Sequence, residues 1–189
     1  DHRDLHSFPT RRSSDLQLSV QRDIFIFQCL IGCRVSDLYR LKKSNVINEA
    51  IEYIPRKTKD GRPITVRVPL NETAKSILKR YESIEDSKLL PFISEQKYNA
   101  AIKQAFKTAG VTRIVTVVDP TTREEVKRPI NEVASSHMAR RTFVGNLYKK
   151  VKDPNLVGSL SGHKEGSKAF ARYRDIDDDI KKQLVSLLD

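Results

Sequence analysis

The sequence has little of what metal-built or disulfide-built proteins need. Its 189 residues hold two cysteines, Cys29 and Cys33, and four histidines. Two cysteines four positions apart make neither a disulfide framework nor a zinc-ligand pattern. They read as small buried thiols in a reducing, cytoplasmic setting, with no metal and no cofactor expected. No apolar run approaches the roughly eighteen residues of a membrane-spanning helix, so the chain is not expected to span a membrane. Internal repeats and low-complexity tracts are missing, which excludes solenoids and arrays. The N-terminus lacks the continuous apolar core of a secretory signal.

The N-terminal stretch Asp1–Leu16 shows no apolar periodicity, and the codons for Ser7–Leu16 can be written as a high-throughput sequencing adapter. Residues 1–16 are therefore expected to be a non-native scar. Gln17–Asp189 would then be one domain with a sizeable core, from which a preceding N-terminal region is missing. His2 and His6 fall in the scar, so His137 and His163 are the histidines that remain. The scar carries three Arg and three Asp, and the net charge of +11 survives its removal. Such a charge points to a polyanionic partner, nucleic acid first and an anionic membrane surface second.

Apolar spacing gives the elements. Arg22–Leu30 reads as a buried helix ended by Gly32, and Arg34–Leu41 as a second helix, capped by Ser36 or a neighbour. Arg34 then stands at a helix entrance, where the helix dipole favours an anion. Val46–Ile54 and Ile64–Val68 alternate as strands around Arg56-Lys57-Thr58-Lys59-Asp60-Gly61-Arg62, a basic hairpin tip. Helices follow at Glu72–Tyr81 and Gln96–Ala109, with Leu89-Leu90-Pro91-Phe92 a packed connector between them. Arg113–Val118 and Glu124–Arg128 form a second hairpin with no evident chemistry. Ser136–Val151 and Leu156–Leu160 are helices, His163 sits on a turn, and an amphipathic helix at Ile180–Leu188 ends the chain.

Within Ser136–Val151, His137 and Arg140 stand three residues apart, on one helical face. Histidine can move a proton near neutral pH, and arginine grips phosphate with a planar fork of donors. Alone such a pair is a solvated helix face. It keeps company, however, with Arg34 upstream and with Gly162-His163 and Tyr173 downstream. On chemistry alone Tyr148 and Tyr173 both qualify as nucleophiles; Tyr148 lies eight residues past Arg140 and is expected to point away.

Gly32-Cys33-Arg34-Val35-Ser36-Asp37-Leu38, His137-x-x-Arg140, and Gly162-His163 with Tyr173 ten residues on resemble, in order and interval, the tyrosine recombinase (phage integrase) family. The resemblance covers nearly all of Gln17–Asp189, and details are similar to integrases of mobile elements in the Bacteroides group. It implies an α+β fold: a mostly helical catalytic domain with small antiparallel hairpins, lacking here its N-terminal core-binding domain. It implies an enzyme, a site-specific DNA recombinase that cuts and rejoins strands through a 3′-phosphotyrosine on Tyr173. Arg34 and Arg140 would stabilise the phosphate, His137 would transfer a proton at Tyr173, and His163 would hydrogen-bond the phosphate. The family's catalytic lysine matches Lys57, with Lys59 the alternative. Asp37 would orient Arg34 or another site residue, and Arg56, Lys59, Arg62 and Arg141 would touch the DNA backbone. The implied partners are double-stranded DNA at attachment or core sites, a homo-tetramer on DNA, and accessory DNA-bending or directionality proteins. Type IB topoisomerase chemistry and a non-catalytic DNA-binding regulator are the alternative functions.

Overall fold

The computed structural model describes residues 13–58, 63–84, 87–151, 153–163 and 185–188. Helix α1 (Ser13–Ile31) is the strut on which the other helices lie. Val20, Ile24, Phe27 and Ile31 recur at helical spacing, and the last three are fully buried, as expected of a helix with one face in the core. Its first turn begins inside the stretch assigned to the adapter; residues 1–12 of that stretch lie outside the described residues. Helix α1 ends at Gly32, whose φ of +68° is left-handed, a conformation that costs a residue with a Cβ. A Cβ there would also lie 2.2 Å from the Phe143 ring.

Helix α2 (Val35–Leu38) is a single turn. Arg34 occupies its N-cap position in an extended conformation, and no side chain caps it. The expected longer helix, its Ser36 cap and its dipole are thus corrected: too few peptides align to build much of a macrodipole. The expected strand over Val46–Ile54 is also corrected, being two strands, β1 (Val46–Ile47) and β2 (Ala50–Tyr53), paired antiparallel. Asn48 and Glu49 between them both take positive φ, 46° and 56°, the geometry of a tight two-residue hairpin. Strand β3 (Val66–Pro69) pairs with β2 from Ala50↔Pro69 to Tyr53↔Val66, giving a sheet ordered β1-β2-β3. Val66 and Val68 face the core while Arg67 bonds Glu52 on the open side.

Helix α3 (Glu72–Arg80) is capped by Asn71, which accepts from the Ala74 amide at 2.9 Å. The helix is tied to α1 through Asp23, a buried carboxylate held by Arg22, Arg80 and the Tyr81 hydroxyl. Burial alone would raise the Asp23 pKa, but those hydrogen bonds outweigh it and lower the value. Helix α4 (Glu95–Thr108) opens on the Ser94 cap and packs on α1 through Tyr98 and Ile102, both buried. A second hairpin, β4 (Ile114–Val118) with β5 (Glu125–Pro129), leads through α5 (Ile130–Val133) into α6 (Ser136–Val151). Helix α6 lies along α1, burying Ser136, Ala139, Arg140, Phe143 and Val144. Helix α7 (Pro154–Ser161) starts at the Asp153 cap, ends at left-handed Gly162, and packs against β3. The expected helices beyond Ser167 fall outside the described residues, apart from a 3₁₀ turn at Ser186–Leu188.

Phe143 of α6 packs against Gly32 so closely that no Cβ fits between them. Gly32→Ala should lower stability by about 2–4 kcal/mol through overpacking and left-handed strain. Adding Phe143→Leu should return only the overpacking share, because φ stays positive. Urea melts of the three variants measure this, and full recovery in the double variant would contradict the strain component.

Candidate functional site

Arg140 occupies a core position in the buried stripe of α6 and is 2% exposed. A charge at such depth is costly unless hydrogen-bonded. Its Nη1 donates to the Gly32 carbonyl at 2.8 Å, across 108 positions of sequence. Its Nη2 lies 3.1 Å from Nε2 and 3.2 Å from Nδ1 of His163, so the guanidinium faces the imidazole. One side chain thereby joins α6, the loop after α1 and the turn after α7.

His163 is placed by the left-handed Gly162, where a Cβ would come within 3.0 Å of Val66 and 3.2 Å of Pro55. Ser161 Oγ donates to the Val157 carbonyl at 2.8 Å, as a helical serine often does, and lies 2.7 Å from His163 Nδ1. With its proton directed at Val157, the hydroxyl accepts from Nδ1–H, which assigns the ring proton to Nδ1. Burial, followed by the charges of Arg140, Arg34, His137 and Lys57, pushes the His163 pKa down to about 3. His163 is therefore neutral at physiological pH.

Arg34 sits two residues past the carbonyl that Arg140 grips. Its Nη1 is buried and has no hydrogen-bond partner among the described residues. A buried guanidinium nitrogen without an acceptor suits an anion such as a phosphate oxygen. Asp37 is buried, and its Oδ1 accepts the Arg56 backbone N–H at 2.8 Å. The bond anchors the 3₁₀ turn Arg56–Thr58, on which Arg56 and Lys57 are exposed. The acidic residue thus holds the turn that carries the lysine. Lys59, Arg62 and Tyr173 lie outside the described residues.

His137 is exposed one turn before Arg140. Partial burial and the charges of Arg141, Arg140 and Arg34 lower its pKa. It lines a groove of ≈ 650 Å³ with Arg113, Val117, Arg141, Tyr148 and Lys149. One expectation changes here. Tyr148 does not point away: it shares the His137 side of α6, but about 16 Å farther along the helix axis. The second hairpin, in which the sequence showed no evident chemistry, walls this groove with Arg113 and β4. Among the described residues, no three His, Cys, Asp or Glu side chains gather to hold a metal, and no helix is long and apolar enough to cross a membrane. Both cysteines are free thiols; burial raises the Cys29 pKa to about 12, and raises that of Cys33 further.

A family model described as the phage integrase family matches residues 15–179. The chain belongs to the phage integrase family. No curated protein sequence shows a significant match. Among solved structures, the fold is similar to that of XerH site-specific recombinase bound to palindromic difH substrate in a post-cleavage complex. That likeness has a TM-score of 0.62 at 17% identity over 95% of this chain and 48% of that one. A lambda integrase dimer bound to a COC′ core site gives 0.60 at 18% identity, over 83% of this chain and 52% of that one. The Tn1549 transposon integrase in complex with a circular intermediate DNA gives 0.55 at 16%, over 100% and 68%. The chain thus spans about half the length of the first of these proteins, and at such identities the likeness establishes the fold alone: a tyrosine recombinase catalytic domain.

Sequence reasoning missed Gln28, Tyr98 and Ser161, which hold the site from beneath. Gln28 alone left a signal, as a lone amide in the apolar run Ile24–Ile31.

The depressed His163 pKa has a sign that melting can test. Above pH about 6.5 both folded and unfolded rings are neutral. As pH falls from there towards about 3, the unfolded chain takes up a proton that folded His163 refuses, so stability drops. His163→Asn should melt with a shallower dependence between pH 7.5 and 5 than the wild type; equal slopes would contradict the buried neutral ring.

Proposed function

We propose that this chain is the catalytic portion of a site-specific DNA recombinase, encoded by a mobile element such as those of the Bacteroides group. It would cleave and rejoin strands through a covalent 3′-phosphotyrosine. The observation that carries the reading is the pair of arginines on either side of one loop. Arg140 is buried and already bonded to the Gly32 carbonyl, while Arg34 has a buried nitrogen with no acceptor among the described residues. Family membership and the shared fold support it.

In this mechanism the Tyr173 oxygen forms a bond to the scissile phosphorus as the P–O5′ bond breaks. A tyrosine hydroxyl with a pKa near 10 needs its proton removed, and His137 accepts it. Arg34 and Arg140 stabilise charge on the non-bridging oxygens, and Lys57 protonates the leaving 5′-oxygen. The phosphotyrosine conserves the bond energy, so reversal rejoins strands without ATP. His163 supports Arg140 and faces the phosphate site. Arg56, Lys59, Arg62 and Arg141 contact the DNA backbone, the assembly is a tetramer on attachment or core sites, and accessory DNA-bending or directionality proteins set the direction. The reaction takes place in the cytoplasm, on DNA. Residues 17–189 form the catalytic domain, and the adapter reading accounts for residues 1–16.

The protein should form a denaturant-stable adduct on nicked suicide DNA from the ends of its own element. Tyr173→Phe should abolish the adduct and Tyr148→Phe should retain it. Specific DNA binding without any adduct would replace this reading with a non-catalytic regulator. Arg141→Ala should weaken binding on all sequences alike and lower the salt slope by about 1; an unchanged slope would place Arg141 away from DNA.

A further inference from the structure

Beneath the site lies a hydrogen-bonded relay that no chemical step uses. Tyr98 on α4 donates its hydroxyl to Gln28 Oε1 at 3.0 Å, and Gln28 Nε2 donates to the Cys33 carbonyl at 3.2 Å. Tyr98, Gln28 and Cys33 are all 0% exposed. The assignment of the amide is unambiguous: a phenol donates to its oxygen and a carbonyl accepts from its nitrogen, and the reverse orientation would set two acceptors together. Water has no access to replace either bond.

The Cys33 carbonyl belongs to the peptide that leads into Arg34. The preceding carbonyl, of Gly32, is held by Arg140 Nη1. Both carbonyls of the short loop are thus gripped by side chains, one from α6 and one from α1. After the loop, the Arg34 carbonyl accepts the Asp37 and Leu38 amides of the first turn of α2. The backbone from Gly32 to Arg34 is therefore held carbonyl by carbonyl, and the direction in which the Arg34 side chain leaves the backbone is held with it.

We propose that Gln28 and Tyr98 are positioning residues for the recombination reaction, holding the Arg34 loop so that its guanidinium meets the scissile phosphate. The inference rests on the function proposed above and extends it to side chains that never reach DNA. A donor to a developing oxyanion acts through its placement, and a displacement of about 1 Å can cost on the order of a hundred-fold in rate. Gln28→Met keeps the length of the side chain and removes its donor; Tyr98→Phe removes only the hydroxyl that fixes the amide.

The test uses the full-length protein, with single-turnover adduct formation at saturating suicide DNA and site affinity by gel shift, well below every variant's Tm. Ile77→Val, in the core of α3 and away from the loop, supplies a variant of lowered Tm for comparison. Gln28→Met should slow adduct formation by about ten- to a hundred-fold, and Tyr98→Phe by less, with affinity within about two-fold for both. Ile77→Val should keep the wild-type rate. An unchanged rate in Gln28→Met, or slowing that Ile77→Val reproduces, would overturn the positioning role while leaving the recombinase reading intact. Absence of an adduct from the wild type would remove both.

Discussion

A guanidinium buried in a helical core is the constraint on which the rest depends. Arg140 stands where helix packing asks for an apolar residue, and its charge must find acceptors there or destabilise the fold. It meets a carbonyl freed by the end of α1 and an imidazole delivered by the end of α7. Two left-handed glycines make both available. Gly32 turns the chain so that its carbonyl faces α6, and Gly162 turns His163 back towards the same point. The penalty for burying a charge thus becomes a geometric specification: three segments distant in sequence are held at one place.

That arrangement also sets the electrostatics. Burial first, and then the positive charges of Arg140 and Arg34, lower the basicity of both histidines, with Arg141 adding to the effect at His137 and Lys57 at His163. A neutral His163 adds no repulsion beside Arg140. A neutral His137 is free to accept a proton rather than already carrying one. In the proposed reaction, the arrival of a phosphate would reverse part of this field and so ease protonation of His137.

Much of this was readable from residue order. The expected helix Ser136–Val151 matches α6 at both ends, and those expected at Gln96–Ala109 and Leu156–Leu160 end within two residues of α4 and α7. The strand break at Asn48-Glu49 was missed: two successive polar residues interrupt the apolar pattern there, but no glycine marks the turn. The short α2 was missed because Leu41 continues the helical spacing although the helix stops after Leu38. At the site, His137 and Arg140 declared their shared face, but not that one is exposed and the other buried. The bond from Arg140 to Gly32 ends on a backbone carbonyl, which carries no residue-type signature. Likewise, Gln28 and Tyr98 are seventy positions apart, and their pairing exists only once α1 and α4 have packed.

The two thiols give the α1–α6 seam a built-in reporter. Cys33 is sealed in the loop between the arginines, and Cys29 lies one helical turn earlier, both in environments that disfavour the thiolate. Alkylating reagents need both access and ionisation, and the fold denies both to Cys33, whereas Cys29 is partly exposed. Reaction at Cys33 therefore clocks the breathing of the molecule's centre, with the native side chains serving as the stopwatch.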